Sequence, residues 1–468
     1  MTNKTIKSGD CGTCRIREVS RIRAIRLLAA VLQFIALGCG CSVVARAEDL
    51  RDLYESAVGF DPQVKSAEAQ LRAQEMKEPE ARSRWLPAVK LSGSDMHGHV
   101  DQEDSVVPNY ETKGYTLGVT QTVFDWGALQ DLSESEILVE QAAIAYAESQ
   151  SDLILRLGMA YFNALSAQEE LAAAKRHVSA LVAQEQYVEQ NYNYGNGTVV
   201  DVREAEATLD SARADEVERE NDVQVKLAQL SSIVGRRPQI LVPLSPTVPI
   251  LLAEHNSVDE WMQIAMEQSN QVRIQALEVA RADTEVKKAR YSNLPVVTAV
   301  ASYGRGNANY INGQNNYITG GHSAAVAEIG VQVTIPLFDG MLSRSQRMEH
   351  EALEDKARFD LDAVKQQAAL GAQQAYLNVQ GGISRISALR TAQGSARESL
   401  NYNMKAYRAG VRLNSDVLAA ADKLYQQETQ LSEARLTTLS WILRLKNVAG
   451  DLTVSEVDSV NALLGPSN

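Results

Sequence analysis

Apolar and polar residues recur along this chain with two different periods, and the switches between them outline its elements. Tyr115, Leu117, Val119 and Val123 alternate with Thr116, Gly118, Thr120 and Thr122. Val297, Ala299, Ala301 and Tyr303 alternate with small or polar residues apart from Val300. Ala327, Ile329, Val331, Val333 and Ile335 alternate with Glu328, Gly330, Gln332 and Thr334. A period of two gives a strand one apolar and one polar face. A further strand near Val89 and Leu91 alternates poorly. The pattern predicts two pairs of strands.

Between the pairs the period changes. From Ala128 to about Gln190 only Gly158 interrupts a run of helix-forming residues, and at ~1.5 Å per residue such an arm is on the order of 95 Å long. Val223, Leu227, Leu230 and Val234 follow the 4-3-4 spacing of a coiled-coil seam. No proline lies between Pro108 and Pro238 or between Pro336 and Pro466, so neither stretch contains the residue that breaks helix interiors. A helix of this length has no globular core to sit on and must pack against other helices.

The elements come twice. Leu86-Pro87 recurs as Leu294-Pro295, Phe124-Asp125 as Phe338-Asp339 and Ala160-Tyr161 as Ala375-Tyr376. Tyr192, Gly195, Asp201, Val202, Ala205 and Leu209 recur as Tyr407, Gly410, Asp416, Val417, Ala420 and Leu424. The spacing between copies widens along the chain, which places an insertion in the Gly304 to Ala325 loop. Each unit reads as helix, two strands and a long helical hairpin, built twice. The predicted organisation is a signal peptide over 1–47, a first repeat over 48–235, a proline-rich linker over 236–256, a second repeat over 257–452 and a C-terminal tail over 453–468.

The signal peptide rests on the order of its blocks: Arg15, Arg17, Arg21, Arg23 and Arg26, then the apolar run Leu27 to Leu37, then Ala45-Arg46-Ala47. Cleavage is expected before Glu48. All four cysteines (Cys11, Cys14, Cys39, Cys41) precede it, so the mature chain is expected to have neither disulfide nor cysteine metal site. Leu37-Gly38-Cys39 loosely resembles a lipidation site, but the better cleavage site lies downstream. Losing the segment takes the formal net charge from −13 to about −19, the wrong sign for a nucleic-acid binder. After the signal segment no run approaches the ~18 apolar residues of a membrane-crossing helix.

Strand number then sets the assembly. Strands of about ten residues at ~45° tilt match a bilayer-spanning strand, but four cannot close a barrel, and an open edge is not tolerated in lipid. Two chains give eight strands, with an interior filled by side chains; three give twelve, with room for a channel, and also align about twelve helical arms as a tube. The geometry favours a trimer. The bland alternative is a soluble α+β protein with small sheets and coiled coils.

With these residues in view, the chain resembles the outer membrane efflux protein (TolC) family over nearly all of its mature length. The carriers are Asp61-Pro62-Gln63-Val64, the Leu-Pro before each strand pair, the Phe-Asp turn with its nearby glycine (Gly127, Gly340), and the Tyr-x-x-Gly…Asp-Val hairpin tips, in order and twice over. The resemblance implies an α+β membrane protein: a trimeric channel-tunnel with a 12-strand outer-membrane β-barrel, four strands per chain, on a long periplasmic α-helical coiled-coil barrel in a Gram-negative cell. It implies a periplasmic adaptor (membrane fusion) protein and an inner-membrane transporter of ABC or RND type as partners, contact with outer-membrane lipid, no cofactor and no catalysis. It also implies a closed entrance at the tips. Tyr407 and Arg412 match its latch tyrosine and arginine, Asp201 the aspartate paired with that tyrosine, and Asp416 a pore-lining aspartate. Gly195, Asn196, Gly197 and Gly410 match the tips that the adaptor touches. Two departures stand out: Ala419 replaces a second pore-lining aspartate, and Val200 replaces a threonine beside the latch.

Each feature has a plainer reading. The tip glycines supply positive φ at turns. Asp201 and Asp416 cap the helices that follow. His97 and His99, beside Asp95 and Asp101, have a metal-like spacing but belong to a surface loop, as does the Asn/Gly/Tyr-rich stretch 307–321. No Gly-x-Ser-x-Gly, His-Glu-x-x-His or phosphate loop is present, so nothing reads as catalytic. The expected function is a passive exit duct. The expected absence of a lipidated mature N-terminus leans it toward type I protein secretion, with multidrug or small-molecule efflux as the alternative. A periplasmic adaptor, or a secreted pore-forming or structural protein, are lower alternatives; an adaptor would have one long hairpin between lipoyl-like and barrel segments.

Overall fold

The computed structural model describes residues 48–98, 110–238, 240–245, 257–307 and 323–465. The signal segment with its cysteines, His99, Asp101, Pro246, Pro249 and the middle of the Gly304–Ala325 loop lie outside the described residues.

Four antiparallel strands form one sheet in the order β1-β2-β3-β4: β1 (Ala88–Gly98), β2 (Tyr110–Phe124), β3 (Val296–Asn307) and β4 (Ser323–Thr334). The two pairs, far apart in sequence, are joined by β2 and β3, where Leu117 lies opposite Tyr303 and Val119 opposite Ala301. The registers align apolar residues across all four strands. Val89, Val119, Ala301 and Ile329 form one row and Leu91, Leu117, Tyr303 and Ala327 another. Lys90, Gly118, Ser302 and Glu328 form a row on the opposite face. The apolar face is not covered by the chain: Leu91 is 70% exposed and Ile329 90%.

Each strand pair leads into a long helix. After β2, α4 (Trp126–Asn193) runs for 68 residues and returns as α5 (Val199–Val234). After β4, α8 (Leu342–Arg408) runs for 67 residues and returns as α9 (Asn414–Val448). At ~1.5 Å per residue each outward arm is about 100 Å long. The Phe-Asp motif starts both. The Asp125 carboxylate accepts from the Gly127 N–H at 2.8 Å, and Asp339 accepts from the Ser343 N–H at 2.8 Å. The hairpins are unequal, each returning arm covering about half its partner. Shorter helices pack on the rest. Before the first strand pair these are α1 (Leu50–Phe60), α2 (Pro62–Glu75) and α3 (Lys77–Ser83); before the second, α6 (Val258–Gln268) and α7 (Asn270–Tyr291). Helix α7 packs on both α4 and α8 and so ties the repeats together. Among the described residues no helix is long and apolar enough to cross a membrane.

The main core lies midway along the arms, where Leu153, Leu157, Tyr161 and Phe162 of α4 meet Val223, Leu227, Leu230 and Val234 of α5, Leu439 and Leu443 of α9, and Leu50 and Leu53 of α1. Gly158 is not a blemish in α4: a Cβ there would lie 2.4 Å from Leu443 Cδ1, so glycine permits the close approach of α9. The first part of the proline-rich stretch is also core. Leu241, Val242 and Leu244 are buried, and Tyr161 donates to the Val242 carbonyl at 2.9 Å. The C-terminal stretch forms α10 (Val454–Asn461), docked on α1 by an Asp458–Arg51 pair at 2.6 Å and by Asn461 Oδ1 accepting from the Leu50 N–H.

Asp61, of the Asp-Pro start, is 2% exposed. It accepts from the Gln63 and Val64 N–H groups at the start of α2 and pairs with Arg156 at 3.0 Å. Burial alone would push its carboxyl up; the Arg156 hydrogen bond, the two backbone N–H groups and the Arg156 charge outweigh that and hold it below the usual range.

Candidate functional site

The two hairpin turns lie at the same end of the bundle, where the lower arms of α4, α5, α8 and α9 meet. Gly195 (φ +76°) and Gly410 (φ +73°) take the left-handed conformation that closes each outward helix. Gly197 does not: its backbone is ordinary, and its value lies in close approach, since a Cβ would sit 3.0 Å from the Tyr192 amide nitrogen. The expectation of positive φ is thus corrected for Gly197.

Neither candidate aspartate is the N-cap residue of its helix. Thr198 caps α5, and Asp201, three residues on, reaches back to accept from the Thr198 N–H at 3.2 Å and hydroxyl at 2.7 Å, while Thr198 Oγ1 accepts from the Asp201 N–H at 3.1 Å. In the second hairpin Leu413 holds the cap position and offers no side-chain acceptor. Asp416 accepts from the Leu413 N–H at 3.2 Å and lies 3.6 Å from Arg412 Nη1. Arg412 and Asp416 are therefore paired within one hairpin.

Tyr407 sits on the last turn of α8 with its ring edge-on to Tyr187 of α4, centroids 5.8 Å apart. Burial pushes its hydroxyl up, the Asp201 charge pushes it further, and a hydrogen bond with Asn191 opposes both. The Asp201 charge on the first hairpin thus reaches Tyr407 on the second, and Asn191 is a hydrogen-bond partner of Tyr407 that the sequence did not flag. Arg408 lies over the Tyr187 ring at 5.7 Å. Around these groups Tyr194, Val200, Val411 and Leu413 are exposed apolar or aromatic side chains.

Above the tips the hairpins first meet in an apolar cluster of Leu181, Leu209, Leu418 and Ala421, and the contact then turns polar. His177 stacks on Tyr425 at 4.8 Å and places Nε2 3.0 Å from Asp422 Oδ1. The Tyr425 hydroxyl donates to Asp215 at 2.5 Å; burial and that carboxylate push it up to about 12. Glu170, between Ser166 and Arg219, is raised by burial and by Glu433 and Asp222, against the Ser166 hydrogen bond and the Arg219 charge. These groups make this stretch of the contact polar. His97, 3.4 Å from Asp95, lies far away at the open end of the β1–β2 pair.

The family model of the outer membrane efflux protein matches residues 53–236 and 261–451. The outer membrane protein TolC of Vibrio cholerae is 27% identical over 427 residues, covering 91% of this chain and 96% of that one. The alkaline protease secretion protein AprF of Pseudomonas aeruginosa is 26% identical over 429 residues, covering 88% and 86%. Among solved structures, the outer membrane protein VceC of Vibrio cholerae superposes with a TM-score of 0.71 at 18% identity, covering 86% of this chain and 96% of that one. With the sheet, the doubled hairpins and a family match over most of its length, the chain belongs to the outer membrane efflux protein family, and its place is the outer membrane.

Proposed function

We propose that three copies of this chain form the exit duct of a tripartite export system, conducting cargo passively from an inner-membrane transporter and a periplasmic adaptor to the cell exterior. The observation that carries this reading is the four-stranded sheet, ending in β1 and β4, with its apolar face exposed. In lipid such a sheet must find further strands at both edges, and three sheets make a barrel wide enough for a channel. The long arms supply the matching tube. The repeats over 48–235 and 257–452, with the stretch 236–256 between them, are its twice-used unit. The entrance is the hairpin tips: Tyr407, Asp201 and Arg412 hold it shut, Asp416 sets ion selectivity, and Gly195, Asn196, Gly197 and Gly410 form the turns on which the adaptor docks.

Type I protein secretion is the cargo class we favour, supported by the likeness to a protease secretion protein. Small-molecule efflux is the second reading, supported by the description of the family. Two measurements test the duct. The protein should remain in the outer membrane after a high-salt wash and should form ion-conducting pores in planar bilayers. Release by salt, or a folded protein that conducts nothing, refutes it. Deleting the neighbouring transporter and following protein export against drug tolerance separates the cargo classes.

A further inference from the structure

Helix α9 docks on the first hairpin along a seam at Asn414, Leu418, Ala421 and Tyr425, a 4-3-4 spacing. Leu418 and Ala421 pack with Leu181 of α4 and Leu209 of α5. Asn414, at the foot of the seam, is fully buried. Its Oδ1 accepts from Gln184 Nε2 of α4 at 2.9 Å, and its Nδ2 donates to the main-chain carbonyl of Asp201 in α5 at 3.3 Å. Both ends of the amide thus reach the other hairpin, and the reach-back hydrogen bond at the start of α9 falls to Asp416. A buried asparagine at a seam position permits only the register in which its partners are met. Further up, the cross-hairpin contacts turn polar at Asp422, Tyr425 and Ser432, and become apolar again from Leu436 onward.

We propose that Asn414 is a releasable clasp between the two hairpins of one protomer, a positioning residue that sets the register and resting separation of the helix pairs at the entrance. The inference rests on the duct reading above and adds to it. Asn414 acts through the Asp201 backbone, and so on the neighbourhood of Tyr407. An apolar residue here would hold the hairpins by burial alone and would not select their register. The amide holds them by two hydrogen bonds that water can replace when they part.

Asn414→Ala removes both bonds, and Gln184→Ala, at a half-buried helix position, removes one with little risk to folding. Each should raise the open fraction of reconstituted channels, Asn414→Ala by about tenfold, the change that accompanies loss of about 1.4 kcal/mol from the closed state. The double variant should add little to Asn414→Ala, because both act on one contact. A second readout does not depend on conduction. All four cysteines precede residue 48, so in protein expressed from Glu48 onward spin labels at Val200→Cys and Val411→Cys are the only labelled sites and report the tip separation. That distance should lengthen or broaden in Asn414→Ala, with the unfolding temperature of the arms unchanged. Wild-type conductance and wild-type distances in both folded variants overturn the clasp, as does full additivity of the two substitutions. A wild-type protein that forms no channel overturns the duct, while the label distances still decide the clasp.

Discussion

Gly158 and Gly394 both sit inside the long outward helices, in α4 and α8, yet the same substitution should act on them in opposite directions. Glycine costs a helix interior up to about 1 kcal/mol relative to alanine, so Gly→Ala should stabilise wherever the added methyl has room. At Gly394 nothing lies within 4 Å of an added Cβ. At Gly158 the Cβ would lie 2.4 Å from Leu443 Cδ1, and Leu443, 1% exposed, is enclosed by the mid-arm core. Relieving that overlap means displacing α9 or forcing Leu443 off its rotamer, at about 1–3 kcal/mol. Gly394→Ala should therefore raise the unfolding temperature of detergent-solubilised protein, followed by far-ultraviolet circular dichroism, and Gly158→Ala should lower it. The gap between them should be about 1–3 kcal/mol. Shortening Leu443 in the Gly158→Ala background should cost less than in the parent, because the two sites share one space. Equal stabilisation by the two alanines would show that α9 does not press on α4 as described.

Asp61→Ala should destabilise the protein by about 2–4 kcal/mol, since it strips a buried acceptor from α2 and leaves Arg156 with Asp152 alone; chemical denaturation measures it. Because the folded Asp61 carboxyl is held low, its contribution is present above the unfolded carboxylate range near ~3.9 and is lost as pH falls below that; the pH slope of unfolding should flatten there in Asp61→Ala. Tyr407→Phe and Asp201→Ala should each increase conductance in planar bilayers, the first by loss of a hydroxyl bond worth about 1 kcal/mol; unchanged conductance in both places the latch elsewhere. Asp416→Asn should move reversal potentials under a salt gradient toward non-selectivity. Arg412→Gln should move them toward cations, because Arg412 offsets the Asp416 charge at 3.6 Å; no shift in either leaves Asp416 a helix-start residue only.

The strand pairs and the doubled unit could be read from the residues because period-two alternation and repeated landmarks are local signals. The weak alternation of β1 has a structural reason: Val89 and Leu91 sit in the apolar rows, while Gly93 and Asp95, further along the same face, lie toward the open end. The unequal hairpins were not legible. A run without proline permits a helix but does not say where its partner ends, and only packing shows that α5 stops halfway and that shorter helices take over. The burial of Leu241, Val242 and Leu244 was hidden for a similar reason, as prolines mark a break in helix and say nothing of depth. At the tips, Gly195 and Gly410 followed from the repeated Tyr-x-x-Gly. Asn414 left a faint signal, a polar residue on an otherwise apolar seam, but its partners Gln184 and the Asp201 carbonyl come from two distant helices. Asn191 acts through side-chain geometry that no spacing encodes, whereas Thr198, three residues before Asp201, has the spacing of a capping box.

The central claim is that one chain builds a third of a duct. Native mass spectrometry of the detergent-purified mature protein tests it most directly. The account predicts one assembly of three chains, held until heat or harsh detergent separates it. A folded, detergent-bound species of one chain, or of two, would contradict it, because neither supplies the strands that a four-stranded sheet needs to close around a channel.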